Sequence, residues 1–487
     1  MKTMNRIMIL AAVSMAAACT PAVELTDSTI ELPDSYSTAA SADTLTIADM
    51  SWEEFFPDTV LQRHIRTALE GNYSFRSCLD RVRLAENELR TARLGYWPSV
   101  SAGLSAGLER FGEYTMDGVG NATTNTPDLD RSKHIPDPYP DFGLGLSFSW
   151  EVDLWGKVTQ KKRAALSRWT ASREAASFAQ SILVSEIAMT YFDLVNLDMK
   201  HQITTAAIDF IAKSCELTED LKDAGEMTQL AVDQFKARLL ELKGELLDTE
   251  NRISAMERAL CLLMGKFPEH VDRRDFYELR EMQYPGDIGI PDLLLTRRPD
   301  IREAEMTLAA ADCDIKAARR AFYPGLRIGG SGGFDAFDIG KFFLAPASLA
   351  YEIAAGLTSP VFNAGQIRNE YSNAIVRRNI VVNSYKETVV RAYSEVAGLI
   401  ESNENIMKRI SVKKEEMRTG KKATDSANEL FRMQFIGYLE VLSADRDYFE
   451  CCESYVGLEI ERMKLQADLY RALGGGGFTQ PEPSTAL

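Results

Sequence analysis

Seven cysteines and four histidines are the residues of this chain best suited to metal, redox or acid–base chemistry, and their spacing gives them little of it to do. There is no C-x-x-C and no pair of histidines at helical spacing, so zinc and haem lack a ligand set. His64, His134, His201 and His270 each stand alone, and no nucleophile is grouped with a base. Cys451 and Cys452 are adjacent. On a helix that turns them about 100° apart, which fits a buried thiol better than a redox pair. Gly474 to Gly477 follows a helical stretch, the order of a helix stop and a flexible tail, whereas a phosphate loop precedes its helix. No enzymatic activity, cofactor or metal is expected.

Cys19 is the thiol with a chemical prospect. Lys2 and Arg6 precede Ile7 to Ala18, a run without charge, and Ala16, Ala17 and Ala18 lead directly into the cysteine. Residues 1–18 read as a secretory signal, too short to cross a bilayer as a helix. The cleavage region resembles the lipobox of bacterial lipoproteins, with Ala16 where Leu is usual, and this implies acylation of Cys19. Acyl chains anchor stably at ~0.8 kcal/mol per buried methylene. The alternative is an ordinary exported chain in which Cys19 is incidental. Beyond Cys19 no apolar run reaches 18 residues, so any bilayer crossing falls to strands.

With 487 residues, 45% hydrophobic and 26% charged, the chain can bury a sizeable core. Its 55 Lys+Arg against 71 Asp+Glu give a net charge of -16, which argues against nucleic acid as a partner. An internal repeat organises it. The stretch Leu89 to Pro98 aligns with Ile315 to Pro324, pairing Ala92 with Ala318, Arg93 with Arg319 and Pro98 with Pro324 at an offset of 226 residues. A repeat this long signals duplication of a whole structural unit.

In each half a helical stretch ends at an aromatic pair and a proline, because the residue before proline avoids the helical region. Strict alternation follows. Val100, Ala102, Leu104, Ala106 and Leu108 share one face, and Phe142, Leu144, Leu146, Phe148, Trp150 and Val152 repeat the pattern. The second half does the same with Leu326, Ile328 and Phe334, and with Leu349, Tyr351, Ile353, Ala355 and Leu357. These are four amphipathic strands. A soluble antiparallel sheet is the ordinary explanation. The Gly- and Ser-rich opposite face, the aromatics at the strand ends and a length of ~10 residues favour lipid-facing strands instead. Four strands cannot close a barrel, so several chains must contribute. Residues 118–140 and 336–348 are then the outward loops.

From Gly156 to Gly225 and from Gly365 to Gln434 the chain takes 69 steps without a proline, each interval a helix of ~100 Å. Helices of that length need neighbours, and apolar residues at three- and four-residue steps supply a coiled-coil face. Return helices follow over residues 228–264 and 438–473. The expected organisation is a signal over 1–18, a lipid-anchored segment over 19–60, a first repeat over 61–264 (helix, two strands, long helix, return helix), a connector over 265–299, a second repeat over 300–473 and a flexible tail over 474–487. The fold class is an α+β membrane protein.

The run Pro291 to Ile301 with Ala304 and Glu305 resembles the signature of outer-membrane channel lipoproteins of tripartite efflux systems, the TolC and OprM type. Trp150 to Gly156, Phe322 to Pro324, Ser359 to Phe362 and Leu469 to Gly475 match in the family's order. The resemblance implies a homotrimer whose twelve strands close one barrel in the outer membrane, continued by a periplasmic helical coiled-coil tunnel. It implies a passive conduit for small molecules such as drugs. The partners it implies are a periplasmic adaptor, an inner-membrane pump of the resistance-nodulation-division class and outer-membrane lipid. A non-transporting envelope scaffold, and a conduit for type I secretion or metal efflux, are the alternatives. Arg297-Arg298-Pro299-Asp300 has a structural role in the family and is not counted as a site.

The periplasmic turns fall at Gly225 and Gln434, and residues 431–446 resemble the family's closing iris. Carried over by position, Leu439 and Phe431 match the constricting apolar residues. Ser443 stands where the family often has Asp, with Asp445 as a substitute carboxylate. Leu439 as plain coiled-coil core is the other reading, and Asp220, Asp223 and Glu226 also fit solvated helix ends.

Overall fold

The structure, a computed structural model, describes residues 23–31, 33, 50–282, 293–360 and 363–476. The signal, Cys19, Pro291, Asp292, Val361, Phe362 and the tail beyond Gly476 lie outside the described residues.

A short helix, α1 (Trp52–Phe55), precedes the first repeat, which runs through α2 (Thr59–Gly71), α3 (Tyr73–Leu94), β1 (Ser99–Glu109), α4 (Met116–Thr124), β2 (Tyr139–Val152), α5 (Lys157–Asp223) and α6 (Gln229–Leu263). Two short helices, α7 (Phe276–Glu281) and α8 (Leu293–Arg297), lie in the connector. The second repeat follows with α9 (Pro299–Arg320), β3 (Gly325–Ala336), β4 (Leu349–Thr358), α10 (Gln366–Arg432) and α11 (Tyr438–Ala472). The helices correspond in length: α3 and α9 have 22 residues, α5 and α10 have 67, α6 and α11 have 35. The offset is 226 before the strands, as in Tyr73 and Pro299, and 209 after them, as in Lys157 and Gln366. The difference lies in the longer loop between β1 and β2. That loop also holds α4, which the polar composition of 118–140 did not announce. Thr115 caps it, its hydroxyl accepting from the Gly118 amide at 3.1 Å.

The chain divides into two compact units, each drawing on both repeats. One contains residues 85–169 and 308–381 with the described residues up to Thr26. Its sheet has the order β1-β2-β3-β4, every neighbouring pair antiparallel. The register sets Val100 opposite Phe148, Trp150 opposite Ile328, and Leu326 opposite Leu357. Side chains alternate along a strand, so these pairings gather the apolar residues of all four strands on one face. That face is exposed along the edge strands, where Leu104, Tyr351 and Ile353 are 78%, 80% and 75% exposed, and half-buried at Phe148, Trp150, Leu326 and Phe334 of the central ones. Gly330 pairs with Phe148, and a Cβ there would lie 2.7 Å from the phenyl ring, so glycine makes room for it.

Aromatics and caps fix the strand ends nearest the helices. Trp150 Nε1 donates to the Tyr96 carbonyl and Trp155 Nε1 to the Pro324 carbonyl, both at 2.8 Å, and the Trp155 and Tyr323 rings lie 5.2 Å apart. The Asp153 carboxylate accepts from the Val158 and Thr159 amides at 2.9 and 2.8 Å, satisfying donors at the start of α5. The N-terminal segment is held to α10, where Asn379 accepts from the Thr26 amide and donates to the Glu24 carbonyl.

The other unit contains residues 27–84, 170–307 and 382 onward, and its core joins helices of both repeats. Phe55 stacks on Tyr470 at 4.2 Å, and the Tyr191 hydroxyl donates to the buried Asp58 at 2.6 Å. Here the Arg-Arg-Pro-Asp run shows its structural work. Buried Arg298 donates to both oxygens of Asp300, to Glu395 at 2.8 Å and to the Ala472 carbonyl at 2.7 Å, tying the connector to the end of α11. One window of α5 has a mean hydropathy of 1.2 over 18 residues, enough by composition to cross a bilayer, but 61% of it is buried inside the chain, as in a core helix.

Candidate functional site

The two long helices end in matching turns. After α5, Gly225 takes a φ of 79°, and after α10, Gln434 takes a φ of 61°. In the first turn the Gly225 amide donates to the Lys222 carbonyl and the Glu226 amide to that of Leu221, both at 2.9 Å. In the second the Gln434 amide donates to Phe431 and the Phe435 amide to Leu430, again at 2.9 Å. Both are left-handed helix stops that satisfy the last carbonyls before the chain reverses. Thr228 then caps α6 with its hydroxyl, while α11 starts from Gly437 without a side-chain cap. The turns touch each other, since the Gln434 side-chain amide donates to the Glu226 carboxylate.

The proposed constricting residues separate on this framework. Leu439 is 57% exposed on the first turn of α11, and its counterpart Leu230 on α6 is 60% exposed. Phe431 is 2% exposed and corrects the expectation that it constricts beside Leu439. It packs with Ala427 and Val441, and its ring lies 6.5 Å from that of Phe235, filling the space between the two hairpins. Ser443 is exposed. Asp445 does not replace it as a surface carboxylate, because it is 1% exposed with both oxygens lacking a hydrogen-bond partner. Burial pushes its carboxyl up to about 7 against the opposing pull of nearby Asn428.

Two residues escaped the sequence reading. Met433 and Phe435 flank Gln434 and are 65% and 76% exposed, so the second turn ends in an apolar tip. The signal was available as large apolar residues on both sides of a helix stop, where coiled-coil periodicity no longer requires them. Among the described residues no group of His, Cys, Asp and Glu is arranged to hold a metal ion. Cys451 is buried, with its Sγ donating to the Lys413 carbonyl, and burial pushes its thiol up to about 11, which keeps it in the unreactive form.

The sequence matches the family described as outer membrane efflux protein over residues 64–266 and 290–475. The chain belongs to that family. The solvent efflux pump outer membrane protein SrpC of Pseudomonas putida is 28% identical over 430 residues, 87% of each chain. The pyoverdine export outer membrane protein OpmQ of Pseudomonas aeruginosa is 26% identical over 476 residues, 97% of each chain. In structure, the MtrE outer membrane channel of Neisseria gonorrhoeae matches with a TM-score of 0.79 at 22% identity, over 94% of this chain and 98% of that one. This outer membrane efflux protein therefore has the fold expected from its sequence, a β domain with a helical-barrel domain. It is an outer-membrane channel of tripartite efflux, working with the other components of such a system. Family and fold are those of channel and transport proteins rather than enzymes.

Proposed function

We propose that three copies of this chain form one passive conduit for small molecules, held in the outer membrane by a twelve-stranded barrel and closed by a ring of Leu439. The observation that carries the reading is the sheet itself. Among the described residues β1 and β4 each pair on one side only, and the apolar face is exposed within the chain along both of these edge strands. Unpaired edges and an exposed apolar face are unstable in water, and closure with copies of the same sheet in lipid resolves both. Acylated Cys19 anchors the N-terminus in this reading, and the hold of Asn379 on Glu24 and Thr26 supports it by fixing the chain a few residues beyond that cysteine. The helical domain meets a periplasmic adaptor, which links it to an inner-membrane pump of the resistance-nodulation-division class.

Reconstituting the purified protein in a planar bilayer tests the conduit directly. Discrete single-channel currents are expected, and an inserted protein that never conducts would contradict it.

A further inference from the structure

Among the differences between the two repeats near the turns, one replaces an ion pair. In the first repeat Lys236 on α6 pairs with Glu219 on α5, with side chains 51% and 41% exposed. The repeat offset of 209 carries these positions to Asp445 on α11 and Asn428 on α10. The ion pair is replaced by a buried carboxylate whose two oxygens have no hydrogen-bond partner. On α10, Asn428 Nδ2 donates to the Thr424 carbonyl at 2.8 Å and pulls only weakly against burial at Asp445, while the Thr424 hydroxyl donates to the Ala444 carbonyl at 2.9 Å.

Among the described residues no charge compensates Asp445. On α10, Lys421, Lys422, Asp425 and Glu429 are exposed; on its own helix, Glu440, Arg446, Asp447 and Glu450 are exposed. From the first repeat the same level presents Leu217 and Met227 to the core, with Glu219 and Lys236 bound to each other. A carboxylate left so is unstable, whereas a neutral carboxyl is tolerated.

We propose that Asp445 is a proton-operated latch, whose neutral carboxyl lets α11 pack on α10 and whose ionisation, releasing the proton to water, forces the two helices apart. The latch rests on the conduit reading above, because it lies six residues along α11 from the Leu439 constriction. The sign follows from the raised pKa. The packed hairpin holds its proton until about 7 while a solvated carboxyl loses it near 3.8, so packing weakens as pH rises through that window.

The test compares hydrogen exchange across residues 424–446, corrected for intrinsic rate, with bilayer conductance at about pH 5.5 and about pH 8 in the full-length protein. Wild type should open about tenfold more at the higher pH, in exchange and in open-channel frequency together. Asp445→Asn should hold the low-pH behaviour throughout. Asn428→Lys restores a cation opposite the carboxylate, as in the first repeat, and should also abolish the pH response. If Asp445→Asn fails to assemble, Asn428→Lys decides. A response that persists in either assembled variant overturns the latch. Exchange reports the latch even where no current is seen, so silence in the bilayer counts against the conduit and not against the latch.

Discussion

The side-chain amide of Gln434 donates to the carboxylate of Glu226, so each helix turn is held by the other. Gln434 does this from a left-handed φ of 61°, a conformation that its counterpart Gly225 adopts at 79° without strain. The two substitutions that exchange these roles should diverge. Gly225→Ala should cost about 1–2 kcal/mol. Gln434→Gly should lose the bond to Glu226 but relieve backbone strain, and so remain close to wild type. Thermal denaturation of the detergent-solubilised protein separates them, and equal losses would show that turn strain does not differ between the repeats.

Leu439 and Leu230 are similarly exposed at the starts of their helices, yet only the turn before α11 carries an apolar tip, Met433 and Phe435. If α11 faces the axis, Leu439→Ala should raise single-channel conductance, and Leu230→Ala should raise it less. A folded Leu439→Ala channel that conducts like wild type would move the constriction elsewhere, with Phe435 the next residue to examine. Ser443→Asp places a carboxylate on an exposed position of the same helix and should raise cation selectivity, read as a shift in reversal potential under a salt gradient.

Arg298 is the hub of the connector. Removing it leaves Asp300, Glu395 and the Ala472 carbonyl without their shared donor, and Arg298→Ala should destabilise the helical unit by about 3–5 kcal/mol. The same network predicts a pH dependence. Burial acts to raise the Glu395 carboxyl, but hydrogen bonds from Arg298 and Arg471 hold it below the usual carboxylate range. Its contribution is therefore present above that range and is lost as pH falls through the depressed value. Melting temperatures of wild type and Arg298→Ala should converge in acid; a constant gap would show that the carboxylates add nothing.

The strands were legible because a period of two survives any packing arrangement, and the register of Val100 on Phe148 and Leu326 on Leu357 keeps the faces that alternation assigned. The turns at Gly225 and Gln434 were legible from proline-free runs of equal length. Phe431 and Leu439 were not told apart, because both sit on amphipathic helices and only the position of Phe235 decides which is buried. Asp445 lies four residues from the buried Val441, the spacing of one helix face, but a carboxylate there reads as solvated until the neighbouring helix is in place. The helix α4 was hidden because its stability comes from the Thr115 cap rather than from any apolar period.

Cys19 gives a test that does not depend on the fold. Metabolic labelling with an acyl precursor should mark the wild type and leave Cys19→Ala unmarked; equal labelling of both would remove Cys19 as the anchor.

The central claim is that this sheet is incomplete alone and closes only among three chains. The mass of the particle extracted from the outer membrane in mild detergent, with detergent subtracted by light scattering, tests it most directly. Three chains of up to 54.3 kDa each are expected. A folded, membrane-extracted particle with the mass of a single chain would contradict it.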